Sequence, residues 1–292
     1  MNEKLIATPT RTASIMKQYD LTMKKSLGQN FLVEAKILYK MIDAAEIDGE
    51  TTVIEIGPGI GALTEVLAIH SKQVIAFEID QRFIQILDDT LATYDNVEII
   101  HEDILKVNFQ SERYQHLFNA TRLVVVANLP YYITTPIIMH LLNSRLPFER
   151  LTMMMQKEVA ERMTAEVGSK QYSSLTVAIQ NHMESRIAMT IPKTVFIPRP
   201  NVDSAVLNLT RRKLPLVEVE SQEDFEILVQ TLFKQRRKTL WNNLRSARDN
   251  WLEKFTEDEL QAALEKSEID GKRRGESLSI YEFAKLYIAL VN

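Results

Sequence analysis

Between Thr51 and Ala127, short apolar runs alternate with segments of helical spacing. TTVIEIG is a buried-strand run; glycines follow it, and then ALTEVLAIH, whose apolar positions recur at helical intervals. KQVIAFEID predicts a second strand, RFIQILDDTLATY a helix, NVEIIHED a third strand and RLVVVANLP a fourth. Apolar runs without polar alternation suit strands buried on both faces, and strand–helix alternation predicts βαβ units around a parallel sheet. A helix over about Glu34 to Ala45 precedes the sheet. After Pro130, TPIIMHLLNS reads as a helix with Pro136 in its first turn, where a missing N–H does no harm. LTMMMQK is a fifth strand, VAERMTAEV and SSLTVAIQNHM are helical, and ESRIAMTI and DSAVLNLTRRK are strands that close the sheet.

From about Leu214 the pattern turns helical, with EDFEILVQTLFKQ, TEDELQAALEK and SLSIYEFAKLYIAL. Thr256 with Glu259 forms a capping-box pattern. RKLPLVEVE, containing Pro215, serves as a linker. The expectation is an α/β domain over residues 1–212 with helices on both faces of its sheet, and a small all-α domain over 213–292.

Composition narrows the class. The 292 residues are 45% hydrophobic and 25% charged, the balance of an ordinary globular chain. No apolar stretch approaches the length of a membrane span, and the first residues lack the apolar core of a secretory signal. Cysteine is absent, which excludes disulfides and thiol chemistry and removes the commonest zinc ligands. No metal site is suggested, and a cytoplasmic location is expected. The net charge of −4 argues mildly against nucleic-acid binding, but the average hides local patches. KQRRKTLWNNLRSAR, Lys234 to Arg248, has six basic residues and no acid, and Lys272-Arg273-Arg274 forms a second cluster. Such clusters are ordinarily solvated faces; two of them in one terminal segment make phosphate contact worth considering.

The first predicted strand runs into Gly57-Pro58-Gly59-Ile60-Gly61. At a strand's carboxyl end the backbone must turn sharply and let a ligand approach closely, which a Cβ would block. The spacing departs from the G-x-G-x-x-G of dinucleotide sites, and no Lys-Ser/Thr follows to make a P-loop. Glu78 ends the second strand 21 positions after Gly57, placed to accept hydrogen bonds from ribose hydroxyls. NAD and S-adenosylmethionine both carry that ribose, so Glu78 does not choose between them. Asp103 follows the third strand. A carboxylate there can accept from an adenine amine, but taken alone it reads as a helix cap or turn residue.

Asn128-Leu129-Pro130-Tyr131-Tyr132 ends the fourth strand. An adenine amine is a weak nucleophile because its lone pair is delocalised into the ring. Two acceptors gripping its N–H groups would return part of that lone pair and stabilise the positive charge that develops on nitrogen. The Asn128 side-chain oxygen and the Leu129 carbonyl are suitably spaced if Pro130 fixes the chain direction, and Tyr131 can stack on an extruded base. A dehydrogenase has no use for this arrangement, so an NAD-dependent oxidoreductase ranks second to a methyltransferase.

With these residues in hand, the chain resembles the KsgA/Dim family of small-subunit rRNA adenine dimethyltransferases. The resemblance rests on KKSLGQNFL (Lys24 to Leu32), EIGPGIGALT, FEID, EDIL, NLPYYITTPI and FIPRPNVDSAV (Phe196 to Val206), in that order along nearly the whole chain. It implies a Rossmann-like, class I S-adenosylmethionine-dependent methyltransferase sheet with S-adenosylmethionine as cofactor. By the same resemblance Asn30 and Leu32 contact the cofactor with Gln29 beside them, and Gly57 and Gly59 form its loop. Glu78 holds the ribose, Asp103 the adenine amine, and Asn128 touches both cofactor and target base. Phe196, which alone reads as a core aromatic, stacks on the base opposite Tyr131. The implied substrate is a pair of adjacent adenosines in the 3′-terminal hairpin of 16S rRNA, each methylated twice in the immature small subunit, with the C-terminal domain holding the rRNA. A monomer is expected, since no dimer helix is evident. The rivals are an Erm-type 23S rRNA methyltransferase, disfavoured by Leu129 where that group carries isoleucine, and a non-catalytic assembly factor.

Overall fold

The computed structural model describes residues 5–21, 30–128, 133–247 and 250–292. Helix α1 (Pro9–Gln18) opens the chain and is followed by the short strand β1 (Phe31–Leu32), α2 (Ala35–Ala45), β2 (Thr51–Ile56) and α3 (Ala62–His70). Next come β3 (Gln73–Glu78), α4 (Gln81–Thr90), β4 (Val97–His101), α5 (Gln115–Phe118), β5 (Arg122–Asn128), α6 (Thr134–Asn143) and β6 (Arg150–Gln156). Helices α7 (Lys157–Met163) and α8 (Ser174–His182) lead to β7 (Met183–Ile191), β8 (Phe196–Ile197) and β9 (Ser204–Arg211). Four helices finish the chain: α9 (Gln222–Phe233), α10 (Leu240–Ser246), α11 (Glu257–Lys266) and α12 (Ile280–Val291). Helix α1 and the β1–β8 pair have no counterpart in the apolar pattern read from the sequence.

The main sheet has seven strands in the order β4-β3-β2-β5-β6-β9-β7. β2 pairs parallel with β3 and β5, β3 with β4, and β5 with β6; β9 runs antiparallel to β6. This is the α/β sheet that the alternating pattern calls for, with the late strands closing one side. Its middle is apolar on both faces: Val53 and Ile54 of β2 and Val124, Val125 and Val126 of β5 are fully buried. Each such side chain contributes about 1.5–3 kcal/mol through removal from water. The order reverses at β2, where β3 lies on one side and β5 on the other. In open α/β sheets a crevice forms beyond the strand ends at such a point.

The chain divides into two compact units, Met1–Ala160 with Arg186–Arg211, and Glu161–Ser185 with Arg212–Asn292. A single cut at residue 212 does not describe this division, because residues 161–185 group with the C-terminal helices. The physical cause is packing. Tyr172 and Val177 share a core with Phe225, Leu228 and Leu232 of α9, and the Gly168 N–H donates to the Glu276 carbonyl at 2.8 Å. In this second unit the capping box read at Thr256 and Glu259 is formed, with the Thr256 N–H donating to Glu259 at 2.7 Å. Ser279 and Glu282 build the same device at the start of α12.

Gly275 is the most tightly packed glycine of the second unit. A Cβ there would lie 2.6 Å from the Leu232 carbonyl oxygen and 3.1 Å from its carbon, so α9 itself would have to move. Gly275→Ala should destabilise the protein by about 1–3 kcal/mol, the usual cost of overpacking, read as a lower denaturation midpoint.

Candidate active site and cofactor cavity

The parallel register brings the ends of four strands to one edge. Ile56 of β2 lies opposite Phe77 of β3 and Ala127 of β5, and Glu78 lies opposite His101 of β4. Gly57, Glu78, Asp103 and Asn128 are therefore neighbours in space although they come from separate motifs. One cavity at this edge is lined by Asn30, Leu32, Gly57, Gly59, Glu78, Asp103, Asn128 and Phe196, together with Glu55, Asp80, Glu102, Met154 and Ser204 among others. Every described residue singled out from the sequence as a cofactor or catalytic candidate reaches it. Leu129, Pro130 and Tyr131 lie outside the described residues, as does Gln29.

The glycine loop is shaped by backbone conformation. Gly57, Gly59 and Gly61 all have positive φ, of 72°, 59° and 88°, which side chains with a Cβ rarely adopt. The Gly57 N–H donates to the Phe77 carbonyl at 2.9 Å, tying the loop to β3. At Gly59 a Cβ would lie 3.3 Å from the Phe31 ring, so the N-terminal motif is packed against the loop. Phe31 and Leu32 are held there by antiparallel pairing with Ile197 and Phe196, and the Val33 N–H donates to the Val195 carbonyl at 3.0 Å. The β1–β8 pair thus joins the two motifs that lie farthest apart in sequence. It carries no pattern of its own, being only two residues long.

Glu78 is buried and doubly bonded through its carboxylate: it accepts from the Gly59 N–H at 3.1 Å and the Asp80 N–H at 2.8 Å. Burial raises its pKa from the ordinary carboxylate value, and these backbone donors pull it partly back. Asp103 accepts from the Leu105 N–H at 3.1 Å and so caps a short 3₁₀ turn, and it also lines the cavity. Phe196 is likewise both things, a core aromatic with 4% exposure and a cavity wall.

Sequence reasoning missed Glu55. It sits on β2 two residues before Gly57, 1% exposed, and neither carboxylate oxygen has a hydrogen-bond partner of normal geometry. Burial pushes its pKa up to about 8; the nearby Thr64 hydroxyl offsets this in part, and the charge of Glu78 adds to it. The available signal was an acid inside an otherwise apolar strand run, where a charge is not expected unless something answers it.

Among the described residues lining the cavity, five are Asp or Glu and none is Lys or Arg. An anionic ligand such as a dinucleotide pyrophosphate is poorly served by that lining, and a cationic one well served.

The raised Glu55 value has a consequence for stability. Between the ordinary carboxyl value of 4.5 and about 8, the unfolded chain ionises this group while the folded chain keeps it protonated. Folded-state stability is lost across that window as pH rises. Glu55→Gln removes the titration, so its melting temperature relative to the wild type should climb as pH rises from about 5 to about 8. Thermal denaturation across this range checks it, and a constant difference between the two proteins would contradict it.

The ribosomal RNA adenine dimethylase family matches residues 20–286. The ribosomal RNA small subunit methyltransferase A of Bacillus pumilus (strain SAFR-032) is 54% identical over 97% of this chain and 96% of its own. Among solved structures, a dimethyladenosine transferase from Plasmodium falciparum is 30% identical, with a TM-score of 0.72 over 88% of this chain and 96% of that one. The 23S rRNA methyltransferase ErmE is 28% identical, with a TM-score of 0.67 over 90% of this chain and 100% of that one. The seven-stranded sheet, the glycine loop at its switch point and the match along nearly the whole sequence agree, and the chain belongs to the ribosomal RNA adenine dimethylase family.

Proposed function

We propose that this chain dimethylates the N6 amines of two adjacent adenosines in the 3′-terminal hairpin of 16S rRNA, in the immature small subunit, with S-adenosylmethionine as donor. The observation that carries the reading is the convergence of Asn30, Gly57, Glu78, Asp103 and Asn128 on one acid-lined cavity. The residues fit the cofactor. Glu55 offers two buried oxygens without partners, and the positive-φ glycines leave backbone open where side chains would stand. When bound, S-adenosylmethionine supplies an electrophilic methyl group on a sulfonium.

The chain's own residues bind and orient. Glu78 accepts from the ribose hydroxyls, already held in place by the N–H groups of Gly59 and Asp80. Asp103 accepts from the adenine amine of the cofactor, and Asn30, Leu32 and the Gly57–Gly59 backbone border the methionyl part. Asn128, at the end of β5, grips the target amine together with the Leu129 carbonyl. Tyr131 and Phe196 enclose the extruded base. Positioning supplies most of the rate, since the loss of a proton from the methylated nitrogen needs no strong base. The 54% identity to a small-subunit enzyme favours 16S over 23S rRNA.

The second unit is proposed to hold the rRNA backbone. Several basic residues of its two clusters are engaged in ion pairs, the exposed Arg236 and Arg245 among them. Arg236 pairs with Glu276 at 3.2 Å and donates to the Tyr172 carbonyl, Arg245 pairs with Glu257 at 3.1 Å, and Arg273 pairs with Glu282. Arg237, Lys238, Lys272 and Arg274 are exposed, and they form the proposed phosphate contacts. The protein is proposed to act as a monomer in the cytoplasm; among the described residues no helix is long and apolar enough to cross a membrane.

Methyl transfer from labelled S-adenosylmethionine to small-subunit particles lacking the modification tests the reading, with large-subunit particles as control. Dimethyladenosine in the 3′ hairpin is expected; label confined to the large subunit would overturn the substrate assignment. Asn128→Ala should abolish transfer while cofactor binding persists in part, and full activity in that variant would refute the mechanism. Replacing Arg237 and Lys238 with alanine should weaken binding to small-subunit RNA. It should also lower the slope of log affinity against log salt by about 1–2, and an unchanged slope would remove these residues from the interface.

A further inference from the structure

The structure assigns a selecting role to Glu55: we infer that it loses a proton when the positively charged methyl donor binds and regains it when the neutral thioether product is left, so that the cavity favours donor over product. This rests on the cavity being the S-adenosylmethionine site.

The acids in and around the cavity differ in how they are satisfied. From β3, Glu78 is bonded to two backbone N–H groups. Asp80 is paired with Arg82 at 2.6 Å. Beyond β4, Glu102 accepts from the Tyr114 hydroxyl at 3.0 Å, and Asp103 from the Leu105 N–H. On α3, Glu65 accepts from the Ile6 N–H at 2.6 Å and faces Arg11 at 3.9 Å. The two arginines named here, Arg11 and Arg82, are thus engaged with other carboxylates. In the sheet Glu55 lies between Ala76 of β3 and Val126 of β5, and the Thr64 hydroxyl of α3 is its neutral polar neighbour. Glu55 is the most deeply buried of these acids, neither of its oxygens has a hydrogen-bond partner of normal geometry, and it lines the cavity.

A buried carboxyl in that state stays neutral, because ionising it without a counter-charge is costly. Its value of about 8 places it mostly protonated at neutral pH. A cation in the cavity supplies the missing counter-charge and stabilises the carboxylate. Donor and product share the ammonium, the carboxylate, the ribose and the adenine; they differ in a methyl group and one positive charge on sulfur. Any difference in the protons they release therefore reports that charge.

The test is isothermal calorimetry on the full chain near pH 7, in two buffers of different ionisation enthalpy. S-adenosylmethionine and S-adenosylhomocysteine are the probes. The donor should release more protons than the product, and the release should fade as pH rises past about 8. In Glu55→Gln, which keeps the shape of the neutral acid, the extra release should vanish. Donor affinity should fall about tenfold and product affinity change less than about twofold, the size of a shift of about one pKa unit. Equal proton release with both ligands, or equal affinity losses for both in the variant, would overturn the inference. Failure of the wild type to bind either ligand would overturn the cofactor assignment beneath it, whereas tight donor binding without proton release would sink the role of Glu55 alone. If the variant does not fold, the wild-type comparison in two buffers still decides.

Discussion

The parallel pairing of β2 with β3 on one side and β5 on the other is the constraint on which the rest of the site depends. It sets Ile56 level with Phe77 and with Ala127, so that the residues that follow, Gly57, Glu78 and Asn128, reach the same edge of the sheet. A slip of one residue in either ladder would turn every side chain to the opposite face and separate the glycine loop from its carboxylate. The register is specified by burial: Val53, Ile54 and Ile56 of β2 and Leu123, Val124, Val125, Val126 and Ala127 of β5 are buried, so a slipped pairing would turn these side chains out of their packing.

Once the strand ends are level, local hydrogen bonds finish the site. Glu78 links the glycine loop to the first turn of α4 by accepting from Gly59 and Asp80, and the β1–β8 pair holds Phe31 against Gly59. The loop is thus fixed from two sides, by a carboxylate from β3 and by an aromatic from the N-terminal motif. Charge is distributed with equal consequence. Glu78 keeps backbone donors that tolerate an anion, while Glu55, one strand away, has none. Burial raises the pKa of both glutamates, but only at Glu78 do backbone donors oppose the rise.

The second unit has its own logic. Its core of Phe225, Leu228, Leu232, Phe283 and Tyr287 joins helices whose ends are capped by Ser and Thr with Glu three residues on. Several arginines in its basic segments are spent inside the unit, on Glu276, Glu257 and Glu282. A basic stretch in a sequence is therefore not a basic surface until its partners are known.

The sequence by itself determined the strands, the parallel sheet, the glycine turn and the acids that end two strands, because each is written in local apolar period, in glycine's backbone freedom or in position at a strand end. Through its ordered motifs it also pointed to the family. Taken alone, Asp103 reads as a cap and Phe196 as a core aromatic; in the structure each also lines the cavity, since a residue at a cavity wall belongs to the packing and to the pocket at once. Tertiary structure alone decided that β1 meets β8, that residues 161–185 join the C-terminal helices, and that Arg236 and Arg273 are paired while Arg237 and Arg274 are exposed. It alone revealed Glu55 as an acid without a partner. The physical reason is common to all four: each depends on contacts between segments far apart in the chain, and local pattern carries no record of what a side chain will meet.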